Sequence, residues 1–289
     1  MNKIQIMTDS ASDISVEDEK KYNIPIIPFP ITFGNESYLS RVELSNEKFF
    51  DLLSTYDGIP KTAQITPFQF VEIYLEQAKK GVEDLILVLI NSKGSETYNN
   101  SLTAIKMFYS EYPEYKDKLN VYSIDGIGYN AIYGVPVIQA IQMRDNGASA
   151  KEIVDFLKDV IPKREIFFGI FNLKYAAKSG RIPSAAAFVG QIMRIKPIMR
   201  IFNNEIKTAA KCIGEKNSYK KMVELTKQDI EPNSPYEIIY AKDTDCIKEF
   251  KEIIVKELGY EPSAIYQTGA AVASNAGVRL VGISFMKKQ

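Results

Sequence analysis

The sequence has no histidine, and only two of its 289 residues are cysteine. Without an imidazole the chain cannot build a Ser-His-Asp triad or a Cys-His pair, ligate a metal through histidine, or use histidine as a general base. Any chemistry must run on carboxylates, Arg, Lys, hydroxyls or backbone amides. Cys212 and Cys246 stand far apart, with neither a CxxC motif nor a metal-ligand spacing, so they read as reduced thiols of a cytoplasmic protein, and no metal site is expected. Net charge is missing too: 36 Lys and Arg balance 36 Asp and Glu, with no basic run. That argues against nucleic acid as a partner and against electrostatic membrane binding. The longest clean apolar run is LILVLI, Leu85–Ile90. It falls far short of the roughly 20 residues a bilayer requires and reads as a buried strand. The start, MNKIQIMTDS, reaches Asp9 before a signal-peptide core could form.

What is present is ordinary globular composition, 45% apolar and 25% charged, over a length that suggests about two domains. Lys3–Met7 reads as a first strand, followed by the polar loop TDSASD and a short charged helix at Ser15–Tyr22. Ile26–Phe33 has β character, but Pro28 and Pro30 demote it to an edge or irregular strand. A short helix is expected at Asn46–Leu53. Thr66 as N-cap, Pro67 at the first helical position and Gln69 three residues on form a capping box, and Ser149 with Glu152 forms a second that opens Ala150–Ile161. Leu85–Ile90 and Asn120–Ile124 are strands, each followed by a loop and a helix, the second helix carrying Pro136. Strand, loop and helix in repetition argue for a parallel α/β sheet with its functional loops at the strands' C-terminal ends.

The second half reads differently. Strands are expected at Ile166–Phe171, Ile198–Phe202, Glu205–Lys211, Tyr236–Ala241 and Leu280–Met286, with Asn203–Asn204 as a hairpin turn. Helices are expected at Ala185–Met193, Ser218–Lys227 and Thr244–Leu258. This mixture suggests an α+β domain with its helices on one sheet face, and the boundary falls near residue 163.

Three polar loops follow strands of the first domain. NSKGSET is the most informative, because it opens a helix whose free N–H groups suit an anion; Gly94 would permit close approach and Ser95 offers a hydroxyl. Taken alone, Ser95 reads as a plain N-cap ahead of an anion contact, and Thr62 in KTAQIT as a loop-stabilising hydroxyl. TDSASD suggests either Mg²⁺-dependent phosphoryl transfer through Asp9 and Asp13 or carboxylates that bond local amides. The stretch from Gly126 to Ala131 fits G-x-G-x-x-A, a nominal dinucleotide fingerprint without the acidic residue that should follow. Ser45 and Ser218 begin S-x-x-K matches and read as helix caps. Arg181, flanked by glycine in KSGRIPS, is either a reader of carboxylate or phosphate or a surface residue holding its loop.

Taken in order, TDSASD (Thr8–Asp13), PIIPFPITF (Pro25–Phe33), KTAQITPFQF (Lys61–Phe70), INSKGSETYNNS (Ile90–Ser101), KSGRIPS (Lys178–Ser184), IKP (Ile195–Pro197) and the Gly-rich tail from Gly269 to Phe285 resemble the DegV family of bacterial fatty-acid-binding proteins. The resemblance covers nearly the whole chain. It implies an α/β fold with a Rossmann-like parallel-sheet N-terminal domain (1–163) and a smaller α+β C-terminal domain (164–289), one long-chain fatty acid being held between them. It implies that Thr62 and Ser95 hydrogen-bond the carboxylate and that Asn275 contributes at a position where the family usually has His. It further implies an acyl carrier without catalysis of its own and without a cofactor. A separate ATP-dependent fatty acid kinase would phosphorylate the bound carboxylate, and Arg181, in an element resembling the family's GGRI, would serve phosphotransfer or partner contact. Transient membrane contact is compatible with such a carrier. Ala63, Ile65, Ile213 and the Tyr38–Arg41 stretch depart from the family's pattern, so the expected kinase-facing surface differs more than the lipid head site does.

Overall fold

The computed structural model describes residues 3–181, 195–242 and 244–288. The helix expected at Ala185–Met193, and Ile182–Ser184 of KSGRIPS, lie outside the described residues. Strand β1 (Ile4–Asp9) passes through a 3-10 turn (Ser10–Ser12) to helix α1 (Val16–Lys21). The proline-punctuated run divides into β2 (Ile26–Ile27) and β3 (Pro30–Phe33), and β4 (Glu36–Leu39) turns back on β3. Pro28 cannot donate to a ladder. The Phe29 N–H beside it donates instead to the Ser40 and Ser10 hydroxyls, at 2.9 and 3.1 Å.

Next come α2 (Asn46–Thr55), β5 (Lys61–Thr62), α3 (Pro67–Lys79), β6 (Asp84–Leu89), α4 (Thr97–Glu111), β7 (Asn120–Asp125), α5 (Ala131–Asp145) and α6 (Ala150–Val160). Both capping boxes form as the sequence specifies, at Thr66 with Gln69 and at Ser149 with Glu152, and Ser45 caps α2. The strands β2-β1-β6-β7 form a wholly parallel sheet in that order. Every residue of β6 is buried, as expected of a central strand covered on both faces. The short strands β4-β3-β5 make a separate antiparallel sheet, so the Pro-rich segment is shared between two sheets.

The C-terminal part comprises β8 (Arg164–Ile170), α7 (Leu173–Ser179), β9 (Ile195–Phe202), β10 (Glu205–Ile213), α8 (Glu215–Asp229), β11 (Tyr236–Tyr240), α9 (Thr244–Leu258), β12 (Ala264–Gln267), α10 (Ala270–Ala276) and β13 (Leu280–Met286). Its sheet runs β10-β9-β8-β13-β11-β12 and is mixed, with β11 and β12 parallel. Side chains alternate along each strand. Phe167, Ile198, Ile238, Val281, Ile283 and Phe285 form one core with α8 and α9 residues such as Tyr219, Met222 and Phe250. Ile166, Phe168, Met199, Ile201, Ile239 and Leu280 point the other way and join the core of the N-terminal part. One face of this sheet therefore looks back at the parallel sheet's loops.

Two expectations change. Ser218 is not a cap: α8 begins three residues earlier, after Gly214 at φ +81°, and the buried Ser218 hydroxyl donates to the Gly214 carbonyl at 3.0 Å. The G-x-G-x-x-A loop is not an open row of donors either. Three of its amides are already engaged, Gly126 N on Leu89 O (2.7 Å), Ile127 N on Asp125 Oδ1 (2.8 Å) and Asn130 N on Ala11 O (2.9 Å). A Cβ at Gly126 would meet the Leu89 carbonyl at 2.6 Å, so this glycine permits close packing of the chain on β6. No helix among the described residues is long and apolar enough to cross a membrane.

Candidate functional site

A cavity of about 890 Å³ lies between the parallel sheet's loops and the inward face of the C-terminal sheet, a size typical of small-molecule sites. Thr62, Ser95, Arg181 and Asn275 all line it, although they come from four distant segments. Ile166, Phe168, Ile201, Ile206, Ile239 and Leu280 supply an apolar wall. The cavity is therefore amphipathic, with polar loops on one side and aliphatic side chains on the other.

Thr62 is fixed by the pairing of β5 with β3, opposite Ile31. Its hydroxyl has no hydrogen-bond partner among the described residues. Ser95 precedes α4, and Glu96 holds the N-cap position without a side-chain capping bond, its carboxylate accepting from Asn99 Nδ2 at 2.9 Å instead. The Ser95 and Thr97 hydroxyls lie 2.9 Å apart, and Ser95 Oγ also accepts from Thr97 N at 3.3 Å. Thr97 is fully buried, and its Oγ1 already accepts from Ile65 N at 3.2 Å. Its own proton must go to Ser95 Oγ, the one acceptor within reach among the described residues. Ser95 then accepts twice, and its own O–H is left for the cavity. Asn100 donates to Ile65 O at 2.8 Å, so side chains of the first turn of α4 hold both backbone groups of Ile65. This clamp fixes the Thr62 loop against the Ser95 loop.

The backbone amides of NSKGSET do not form an anion nest, contrary to expectation. Lys93 N and Gly94 N donate to Asn91 Oδ1 at 2.8 and 2.9 Å, Ser95 N donates to Asn91 O at 3.1 Å, and Ser92 N to Asp125 Oδ1 at 3.1 Å. Gly94 is needed for another reason: a Cβ there would collide with the Tyr129 hydroxyl. Burial raises the Tyr129 phenol to about 12, against an opposing influence of Arg181.

Asn275 sits on α10 and spends one donor on Ala271 O at 3.1 Å. Arg181 follows Gly180, which ends α7 in the left-handed conformation at φ +70°. It is exposed, and among the described residues its hydrogen bonds stay within its own turn, its N–H donating to Ser179 Oγ at 3.3 Å.

Asp9 and Asp13 do not line the cavity. Asp9 accepts from Ala11 N (3.0 Å), Tyr133 Oη (2.7 Å) and Ile90 N (2.6 Å). Asp13 accepts from Gly269 N at 2.9 Å and from Asn130 Nδ2, and the same Nδ2 reaches Thr268 Oγ1 at 3.0 Å. Both are fully buried, and burial pushes Asp9 up to about 6 and Asp13 well above the usual carboxylate range. These carboxylates pin β6, α5 and the start of α10 together. That positive engagement of their oxygens displaces the phosphotransfer reading of the TDSASD loop. No cluster of three metal-ligating side chains is found among the described residues.

Sequence reasoning missed Asn91, Tyr129 and Asn204. Asn204 joins the two halves of the wall, since from the tip of the β9–β10 hairpin its Nδ2 donates to Ser92 Oγ at 2.9 Å. It is visible in sequence only as a turn residue, at φ +62°. The N-S-K-G stretch did carry an Asx-turn signal for Asn91, because Asn side chains accept from amides two residues on.

A family model described as the DegV family of uncharacterised proteins matches residues 3–288. A DegV domain-containing protein of Caldanaerobacter subterraneus is 28% identical over the full length of both chains, and DegV of Bacillus subtilis is 25% identical over 99% of each. Among solved structures, a protein from Eubacterium ventriosum described as binding stearic acid has a TM-score of 0.86 at 20% identity, covering 100% of this chain and 99% of that one. A fatty-acid-binding DegV family protein of Thermus thermophilus has a TM-score of 0.85 at 20% identity, covering 99% and 100%.

Proposed function

This chain belongs to the DegV family, and on that premise we propose that it binds one long-chain fatty acid, with the carboxylate on Thr62 and Ser95 and the alkyl chain along the inward face of the C-terminal sheet. The observation that carries this reading is the amphipathic cavity, in which available hydroxyls of two clamped loops face an aliphatic wall. The fatty-acid binding described for the Eubacterium and Thermus proteins of the same fold supports it.

The energetics agree. Each buried CH₂ is worth about 0.8 kcal/mol, so roughly 15 of them gain on the order of 12 kcal/mol before ordering costs. Affinity comes from the tail, and the hydroxyls fix the head. In this reading residues 1–163 form one domain and 164–289 the other, with the lipid between them. Asn275 takes part through its second amide hydrogen. The carrier catalyses nothing itself, uses no cofactor and works in the cytoplasm. A separate ATP-dependent kinase phosphorylates the carboxylate, and Arg181 at the cavity wall meets that partner or steadies the phosphoryl charge. Mass spectrometry of an organic extract of the purified protein tests the reading: a fatty acid at one per chain is expected, whereas a tightly bound nucleotide and no lipid would overturn it.

A further inference from the structure

We propose that Asn91 is a further donor to the ligand head group, beside Thr62, Ser95 and Asn275, and makes the site selective for a carboxylate over an uncharged head. This rests on the fatty-acid reading of the same cavity. Asn91 lines that cavity and is only 2% exposed. Its amide orientation follows from the hydrogen bonds: Oδ1 accepts from both Lys93 N and Gly94 N, so the NH₂ must be the other end. Nδ2 has no partner among the described residues, and it is not one of the polar atoms sealed from any open space without a partner. It therefore faces the volume that Asn91 lines. Buried donors are almost always paired, so this one calls for an acceptor from the ligand.

The location suits a carboxylate. Ser95 N donates to the Asn91 backbone carbonyl at 3.1 Å, so a single turn of chain carries both the Asn91 amide and the Ser95 hydroxyl. A carboxylate has two acceptor oxygens and about four lone-pair sites. The hydroxyls of Thr62 and Ser95 and the second amide hydrogen of Asn275 occupy three of these, and the Asn91 amide takes the fourth. A primary alcohol offers a single oxygen that must also donate, and cannot satisfy four converging donors.

Asn91→Asp keeps the acceptor for the Lys93 and Gly94 amides and the side-chain shape, while replacing the donor by an anion. At about pH 8, where such a carboxyl is ionised, binding of hexadecanoic acid and of hexadecanol is measured by calorimetry on delipidated wild type and variant. Hexadecanoic acid should bind about 100-fold more weakly to the variant, with hexadecanol changed by less than about 3-fold, as expected for a lost charge-assisted bond beside a new like charge. An unchanged acid affinity, or equal losses for acid and alcohol, would overturn the proposal. Should Asn91→Asp fail to fold, Asn91→Ser retains an acceptor without the amide. It should lose about 10-fold for the acid alone, and no such selective loss would overturn the proposal equally. Wild type that binds neither compound would remove the fatty-acid reading itself, and the role of Asn91 with it.

Discussion

Gly94 and Tyr129 share one space: the Tyr129 hydroxyl occupies the position where any residue but glycine would carry its Cβ. The glycine of the β6–α4 loop thus serves a side chain of the α5 entrance. Gly94→Ala should cost about 1–3 kcal/mol of stability, the usual price of overpacking. Tyr129→Phe removes the colliding oxygen, so the alanine should cost less in that background. A double-mutant cycle by urea unfolding measures the coupling; strictly additive effects would show that the two residues do not compete.

Thr97→Val leaves the Ile65 N–H without its acceptor and takes from Ser95 Oγ one of its two donors, the Thr97 amide remaining. A loss of about 1–3 kcal/mol follows, together with faster hydrogen exchange at the Ile65 amide in ligand-free protein. Thr97→Ser should restore both. Slow exchange at Ile65 in the valine variant would disprove the clamp.

How much of this was legible in sequence depends on how local the cause is. The Thr66–Gln69 and Ser149–Glu152 caps are decided within four residues and formed as expected, as did the Asn203–Asn204 turn. β6 declared itself by a continuous apolar run. The two-residue strand β5 and the Ala-rich α10 did not, because β5 is held by pairing with β3 and α10 is anchored at its entry by Asp13, 256 positions away. In the site, Thr62, Ser95, Arg181 and Asn275 share a cavity that the family resemblance implied. The supposed anion nest failed because Asn91 consumes its amides. Asp9 was open between metal chemistry and local amides, and the structure gives it the amides of Ala11 and Ile90.

Asp9 gives the fold a pH dependence. Burial is the largest influence and raises its carboxyl from 3.8 to about 6. Between these values the folded chain holds a proton that the unfolded chain has lost, so stability falls as pH rises. Its contribution is complete below 3.8 and is lost as pH rises through about 6. Asp9→Asn removes this titration. Relative to wild type, the variant should gain about 2–3 kcal/mol between about pH 4 and pH 7. Unfolding free energies across that range check this; parallel curves for the two proteins would contradict it.

Among the described residues the hydrogen bonds of Arg181 stay within its own turn, so Arg181→Ala should leave both stability and fatty acid affinity within about 0.5 kcal/mol of wild type. With a cognate kinase and ATP, acyl phosphate formation should slow by at least roughly 10-fold if the guanidinium steadies the phosphoryl charge or docks the partner. Equal rates with wild type and variant would remove Arg181 from that role.

The central claim is met most directly by titrating a long-chain fatty acid into delipidated wild type and into Thr62→Ala/Ser95→Ala by calorimetry. The expected result is one site per chain, weakened in the double variant by about 1–3 kcal/mol in total because the tail retains its burial. Absence of binding by the wild type, or equal affinity of the double variant, would contradict the account.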